Sequence, residues 1–371
     1  MTRMASFETI ADRAHETPVV SGLPPLASFY LDDFDIYRAI DGFHRDLYDP
    51  NHLLDQDVIV DTDKRHPDYP RIDCTADPVT PALNEVVSWD RQEHHDRMRQ
   101  ELLQQSDIKE YILDSITGEE FVAVVVVDGL SYDAVRSLDF DTQPVIVDGI
   151  TTTGPGFRRI IYGQDSVSIY AALTSKGFYT GYGFTYWERG QEELSTDLHS
   201  GLGQNVYRIS DFDEALSRLK SDQPFDDKVY AQITRMGLDQ DSHNRKEEPN
   251  RAAVRDELVN DLQSLADVAN RITDNFRIFV TSDHGILWRD NLPDDSPIVH
   301  DEWVSHARFL EGEQDIEHGL TQRENGNAAT GLGYPYLTRE LKNTEWGVHG
   351  GFSYYESITP LLEITTTGET Q

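Results

Sequence analysis

The sequence predicts an α/β fold built on a largely parallel sheet. Three observations carry this: a continuous apolar, β-branched run from Phe121 to Val127 (FVAVVVV), further strand-like runs spaced along the chain after it, and helical patterns between them. An uninterrupted apolar run suits a central strand covered on both faces, and strands alternating with helices pair in parallel through crossovers. The later strands are expected at Pro144 to Ile150, Asn205 to Ile209, Lys228 to Thr234, Arg277 to Thr281 and Ile358 to Ile364. The clearest helix runs from Arg251 to Asn275, where Val254, Leu258, Leu262, Leu265, Ala269 and Ile272 recur every three or four residues and form one apolar stripe facing a sheet.

Residues 1–118 read differently. Pro, Asp and His are frequent there, apolar runs are short, and the main element is a polar helix from Trp89 to Leu113; the segment is expected to be an N-terminal extension that packs on the core of residues 119–371. Residues 287–347 are irregular, acidic and aromatic, and are expected to be an insertion or lid over the active edge. His300, His306 and His318 in this insertion, and His44, His94 and His95 in the extension, fall in no motif and read as solvated surface. Tyr179, Tyr182, Tyr186 and Trp187 form an aromatic cluster that reads as core or interface before it reads as a stacking platform for a base.

Composition narrows the function classes. The chain of 371 residues carries 67 Asp and Glu against 32 Lys and Arg, a net charge of −35. Such a surface repels phosphates and anionic lipid headgroups at long range, which argues against a protein that coats nucleic acid or docks on acidic membranes. The acidic, lysine-poor balance is that of a halophilic protein in a salt-loaded cytoplasm, where screening is severe and charge reports little about partners. The single Cys74 excludes an intramolecular disulfide framework and any multi-thiolate metal site. The first twenty residues hold no apolar h-region, and no window approaches about 18 uninterrupted apolar residues, so a cytoplasmic chain without membrane spans is expected.

In a parallel α/β sheet, ligands bind at the carboxyl ends of the strands. Four places put polar residues there. Asp128 follows FVAVVVV directly and precedes Gly129; it is suited to a metal or phosphate, and equally to capping a following helix. Thr151, Thr152 and Thr153 follow PVIVDGI and precede Gly154, Pro155 and a helix, where a hydroxyl lies in the field of free backbone N–H groups; the same residues can form a capping turn. Asp239 and His243 stand four apart in LDQDSHNR, so one turn of helix brings carboxylate and imidazole to one side. Asp283 and His284 end the strand RIFVTSDHG, and Gly285 releases the turn that lets adjacent residues serve one centre.

The ordered series VVVVDG, TTTGPGFRRIIYG, D-x-x-x-H, TSDHG and a late HGG resembles the alkaline phosphatase superfamily, which includes nucleotide pyrophosphatases/phosphodiesterases, cofactor-independent phosphoglycerate mutases and sulfatases. The segment VHGGFSYYESITPLL is most similar to the PglZ domain of phage-resistance (BREX-type) systems, and the resemblance spans Phe121 to Glu363. It implies an alkaline-phosphatase-like three-layer fold and two divalent metal ions. One ion would be held by Asp239, His243 and His349 and the other by Asp128, Asp283 and His284, with Thr153 as nucleophile and Thr151 or Thr152 as the alternatives. The implied course is a covalent phosphothreonine that water then hydrolyses. Oxygen and nitrogen donors of this kind suit zinc, manganese or magnesium. Arg158 and Arg159 would bind substrate through nonbridging phosphate oxygens.

Two departures from the superfamily matter. Thr153-Gly154-Pro155-Gly156-Phe157 is not the Cys/Ser-x-Pro-x-Arg context that sulfatases need, and too few residues separate Thr153 from Asp239 to hold the inserted domain of the mutases. The expected function is a two-metal phosphodiesterase or phosphomonoesterase, a PglZ-like component of phage defence. Its substrate would be a phosphoester, nucleotide or nucleic acid included, and its partners other defence subunits. The alternative is a metal-binding, weakly catalytic interaction subunit of such a complex.

Overall fold

A computed structural model of the chain describes residues 102–135, 140–165, 167–185, 206–208, 212–221, 228–243, 245–300, 304–324 and 327–365, together with residues 96, 99 and 138 and the segments 19–21, 59–61 and 71–73. Cys74, His44, His94, His95, Tyr186, Trp187 and most of the polar helix expected from Trp89 lie outside these residues.

The chain forms two compact units, Met1–Asp90 and Arg91–Gln371. In the first, β1 (Val19–Ser21) pairs in parallel with both β2 (Ile59–Asp61) and β3 (Arg71–Asp73). The boundary falls well before residue 118. The reason is visible in the next elements: β4 (Leu103–Gln104) pairs with a core strand, and α1 (Ile108–Ser115) buries Ile108, Ile112 and Leu113 in the core of the second unit.

The second unit continues through β5 (Phe121–Val127), α2 (Tyr132–Val135), β6 (Asp141–Ile146), α3 (Thr153–Tyr162), α4 (Ile169–Ser175), β7 (Phe178–Thr185), β8 (Val206–Arg208), α5 (Phe212–Ser221) and β9 (Lys228–Arg235). There follow α6 (Asp239–Ser242), α7 (Arg251–Ile272), β10 (Phe276–Ser282), β11 (Leu287–Trp288), β12 (Phe309–Glu311), β13 (Gly319–Glu324), β14 (Asn327–Leu332), β15 (Gly347–Val348), α8 (Tyr354–Ser357) and β16 (Ile358–Thr365). Eight strands form the central sheet in the order β4-β6-β16-β10-β5-β9-β7-β8; all run parallel except β16, which is antiparallel to both its neighbours.

All seven residues of β5 are buried, as an apolar run in mid-sheet requires. Its side chains alternate between two cores. Phe121, Ala123, Val125 and Val127 pack with Leu216 of α5 and with Leu258, Leu262 and Leu265 of α7. Val122, Val124 and Val126 pack on the other face with Ile108 of α1, Phe157 and Ile160 of α3 and Ile169 of α4. The result is a three-layer α/β/α arrangement. Each of these aliphatic side chains contributes roughly 1.5–3 kcal/mol by burial, which makes β5 the sheet's anchor.

Register decides where the polar residues go. Val127 lies opposite Ser282 on one side and Arg235 on the other, so Asp128, Asp239 and the Asp283-His284 pair leave the sheet at one edge. Ile146 of β6 lies opposite Ile358, the first residue of antiparallel β16, so the loop after β6 and the loop before β16 reach the same edge. The expected insertion, 287–347, is built from the β11–β15 ribbon and the three-stranded sheet β12-β14-β13.

Candidate metal centre

Six expected ligands and the central threonine meet at this edge. Two groups of donors each lie with their atoms within 4.8 Å of one another, Asp239–His284–His349 and Asp128–Asp283–His284, with His284 common to both. The His243 ring takes an outer place: its Nε2 is 3.2 Å from Asp239 Oδ1, and its ring centroid is 5.5 Å from that of His349. His349 Nε2 lies 3.3 Å from the same Asp239 oxygen, and the rings of His284 and His349 stack with centroids 4.0 Å apart. His284 Nε2 is 3.7 Å from Asp128 Oδ1 and 3.4 Å from Asp283 Oδ2.

Backbone carbonyls set the imidazoles. His284 Nδ1 is 2.9 Å from the Gly285 carbonyl and His349 Nδ1 is 2.9 Å from that of Thr151, so each donates there and turns a bare Nε2 to the centre. The carboxylates are held just as tightly on one side: Asp283 Oδ1 accepts the N–H groups of Gly129 and His284, both at 3.0 Å. Their other oxygens are left over. Asp128 Oδ1 and Asp283 Oδ2 are buried and have no hydrogen-bond partner among the described residues. Two buried carboxylates with unmatched oxygens, beside half-buried Asp239, fit hard cations, and the donor set is wholly oxygen and nitrogen.

Electrostatics follow the same geometry. Burial pushes the Asp283 carboxyl up to about 7, against the pull of the Gly129 and His284 N–H groups. Burial, with the charges of Asp283 and Asp239, raises Asp128 as well, and the Thr153 hydroxyl works in the opposite direction. Burial also disfavours charge on Asp239, but His349 and His243 outweigh it and hold that carboxyl far below the usual range. Burial drives His284 down to about 3, so it is neutral and free to donate a lone pair at ordinary pH. His243 is displaced upward, its burial overcome by Asp239.

Thr153 is the first residue of α3, and its Oγ1 lies 3.3 Å from His284 Nε2. Thr151 has another task. Its buried hydroxyl donates to the Gly351 carbonyl at 2.7 Å and accepts the Gly350 N–H at 2.9 Å, which ties the loop carrying His349 to the start of α3. Thr152 is the helix N-cap residue. Close approach of α3 to the β10 end depends on Gly156, where a Cβ would stand 2.4 Å from the Asp283 carbonyl oxygen. Gly129, at φ 71°, lets Asp239 come in: a Cβ there would lie 2.7 Å from that of Asp239.

Arg159 is buried. Its Nε donates to Gln105 Oε1 and its Nη2 to the Ile150 carbonyl, both at 2.7 Å, and Gln105 Nε2 in turn donates to the carbonyls of Ser282 and Asp283 at 2.8 Å. This network braces the centre from behind, and nothing in the local sequence marks Gln105 for the task. Arg158 is exposed and, with Arg159, lines a cleft of about 780 Å³ that shares no lining residue with the cleft of about 910 Å³ over Asp128, Asp239 and His243.

A buried ion pair locks the last motif. Arg308 and Glu356 are both fully buried; Arg308 Nη2 donates to Glu356 Oε2 at 2.8 Å and to the Leu332 carbonyl at 2.7 Å, and Glu356 Oε1 accepts the Gly351 N–H at 2.9 Å. His306 stacks on Phe309 at 4.1 Å and His318 on Tyr336 at 3.8 Å, so two of the insertion's three histidines brace aromatic rings.

No family model and no curated protein matches the chain. Among solved structures it is similar to murine ectonucleotide pyrophosphatase/phosphodiesterase 5 in complex with AMP, at 13% identity and a TM-score of 0.41, covering 65% of this chain and 87% of that one. The human ectonucleotide pyrophosphatase/phosphodiesterase 5 gives 11% identity and a TM-score of 0.45, covering 66% and 87%. Phosphonoacetate hydrolase from Sinorhizobium meliloti 1021 gives 12% and 0.38, covering 67% and 91%.

Proposed function

We propose that this chain is a two-metal phosphoester hydrolase of the alkaline phosphatase superfamily that uses Thr153 as its nucleophile and serves as a PglZ-like component of phage defence in the cytoplasm. The observation that supports this most is the meeting of buried Asp128 and Asp283, half-buried Asp239 and three imidazoles around Thr153, with Asp128 Oδ1 and Asp283 Oδ2 left unpartnered among the described residues. The defence role rests on the VHGGFSYYESITPLL resemblance alone. No helix among the described residues is long and apolar enough to cross a membrane.

Asp239, His243 and His349 would hold one divalent cation and Asp128, Asp283 and His284 the other; zinc, manganese or magnesium there would supply Lewis acidity that favours loss of the threonine hydroxyl's proton to solvent and offsets charge on the phosphate. The chain's own groups do the rest. Thr153 Oγ1 forms the bond to phosphorus as the bond to the departing ester oxygen breaks, and of the first turn of α3 the N–H groups of Thr153 and Gly154 would serve the phosphoryl oxygens, since Pro155 has none and Gly156 donates to the Thr152 carbonyl. Water then attacks the phosphothreonine, which releases the phosphate product and restores the hydroxyl. Thr151 and Gln105 keep the geometry by holding the His349 loop and the β10 end in place.

Acid quenching during turnover of a chromogenic phosphoester, followed by peptide mass spectrometry, tests this. The expected result is a phosphate mass on the peptide containing Thr153, lost in Thr153→Ala. Turnover with no phosphopeptide would remove the covalent route, and no turnover from folded, metal-loaded protein would favour the interaction-subunit alternative.

A further inference from the structure

The second cleft has a charge balance opposite to that of the molecule. Arg99, Arg158, Arg159 and Arg323 line its space of about 780 Å³, with only Asp148 and Asp165 as carboxylates, in a chain of net charge −35. Those two carboxylates are already matched from within. Asp148 accepts the N–H and hydroxyl of Ser106 at 3.1 and 2.6 Å, and Asp165 pairs with buried Lys109 at 2.7 Å and accepts the Val167 N–H at 2.6 Å.

The guanidinium groups are not matched to the same degree. Arg99 is oriented by a side-chain amide, with Nε and Nη2 donating to Gln104 Oε1 at 3.3 and 3.2 Å, a contact that fixes the group without neutralising it. Arg158 is exposed and has no carboxylate partner among the described residues. Arg323 reaches in from β13 and pairs with the exposed Glu313. Three cationic forks from three separate segments thus face one space, and their planar N–H pairs match the oxygens of phosphate.

We propose that this cleft is a binding site for a phosphate-class oxyanion distinct from the phosphate at the metal centre. Its place in the fold gives it a use. Pro155 and Arg158 line it, and both lie on α3, the helix that starts at Thr153; five residues of helix advance about 7.5 Å. Those five residues also turn the helix by about 140°, and the two clefts share no lining residue, so a substrate that runs round α3 is needed to hold one phosphate at the metal centre and a second against these arginines. This use rests on the hydrolase reading, whereas binding of the oxyanion does not.

The test separates the two. Full-length protein stripped of metal by chelation is titrated with inorganic pyrophosphate by calorimetry; without cations, the metal centre has nothing left to hold the probe. The wild type is expected to bind, and Arg158→Gln and Arg323→Gln each to weaken binding by about tenfold, the loss of one charge-assisted contact. Arg158→Lys should recover part of the affinity. Unchanged thermal midpoints show that these surface variants fold. A wild type that does not bind, or an Arg158→Gln variant that binds as tightly, overturns the site, while binding without any hydrolysis overturns only the hydrolase reading. Turnover then separates the sources: a raised KM in Arg158→Gln for an ester bearing a second phosphate places that phosphate in the cleft, and lost inhibition by inorganic phosphate with KM kept places the free anion there.

Discussion

The two clefts of the second unit leave opposite charges unmatched. Over the sheet edge, the N–H groups of Gly129 and His284 bond only one oxygen of Asp283, and Asp128 Oδ1 and Asp283 Oδ2 stay buried without partners among the described residues. Beside α3, Ser106 and Lys109 satisfy the carboxylates, Glu313 pairs with Arg323, and the guanidinium groups of Arg99 and Arg158 remain without a carboxylate among the described residues. The difference teaches that the ligand's sign is read from the leftover group and not from the lining's composition. The first cleft calls for cations and the second for an oxyanion.

Removing a leftover carboxylate should break the comparison most severely. Asp283→Ala is expected to lose metal at the Asp128–Asp283–His284 group and to lower hydrolysis by more than about a hundredfold, beyond the range for residues that merely orient ligands. Metal analysis of the purified variant alongside turnover checks it, and an active, metal-replete Asp283→Ala contradicts it.

The buried Arg308–Glu356 pair sharpens the contrast, because there both charges are matched internally and no ligand is called for. Arg308→Met should cost about 3–5 kcal/mol by stranding Glu356, seen as a lower denaturation midpoint. Gly156→Ala comes next. The clash with the Asp283 carbonyl should cost about 1–3 kcal/mol and loosen metal binding, measured by denaturation and metal titration.

The smallest expected effect is on pH. With Asp283 raised to about 7, the metal-free centre retains a proton below that pH and must release it to bind a cation. Affinity should therefore fall as pH drops below 7, by up to about tenfold per unit for this one proton, and Asp128 and His243, both displaced upward, add proton competition of their own. His284, lowered to about 3, adds no proton competition across that range. Titrations at pH 6 and 8 in buffers of different ionisation enthalpy read the released proton directly. The same shift has a consequence for stability. A carboxyl raised in the folded state stabilises the metal-free fold below the ordinary carboxylate range, and that contribution fades as pH rises through about 7.

The strands with one-dimensional signatures were legible. FVAVVVV matches β5 residue for residue, and the 251–272 helix ends only three residues short of the expected Asn275 because Thr273 turns extended. The β6 strand is earlier than Pro144 to Ile150: the chain leaves the sheet after Ile146 to deliver Thr151 to the HGG loop, a contact made across about 200 residues that no local pattern records. Phe178–Thr185 forms a strand although its glycines and aromatics alternate poorly. Tyr182 stacks on Phe184 in the core, and Tyr179 stays 49% exposed. The antiparallel sense of β16 was equally hidden, since direction is a property of the pairing and not of the strand. In the candidate site the ligand types and their order were readable from strand ends. The roles of Gln105, Thr151 and Glu356 were not, because each depends on a partner brought in by the fold: the β10 end, the HGG loop and Arg308.

One measurement bears on the central claim most directly: hydrolysis of paired chromogenic phosphate mono- and diesters, with and without added Mn²⁺, Zn²⁺ or Mg²⁺, by the wild type and by Thr153→Ala. The account predicts turnover that requires a divalent cation and disappears in the variant while the variant still binds metal. A Thr153→Ala protein that hydrolyses either ester at the wild-type rate would contradict it.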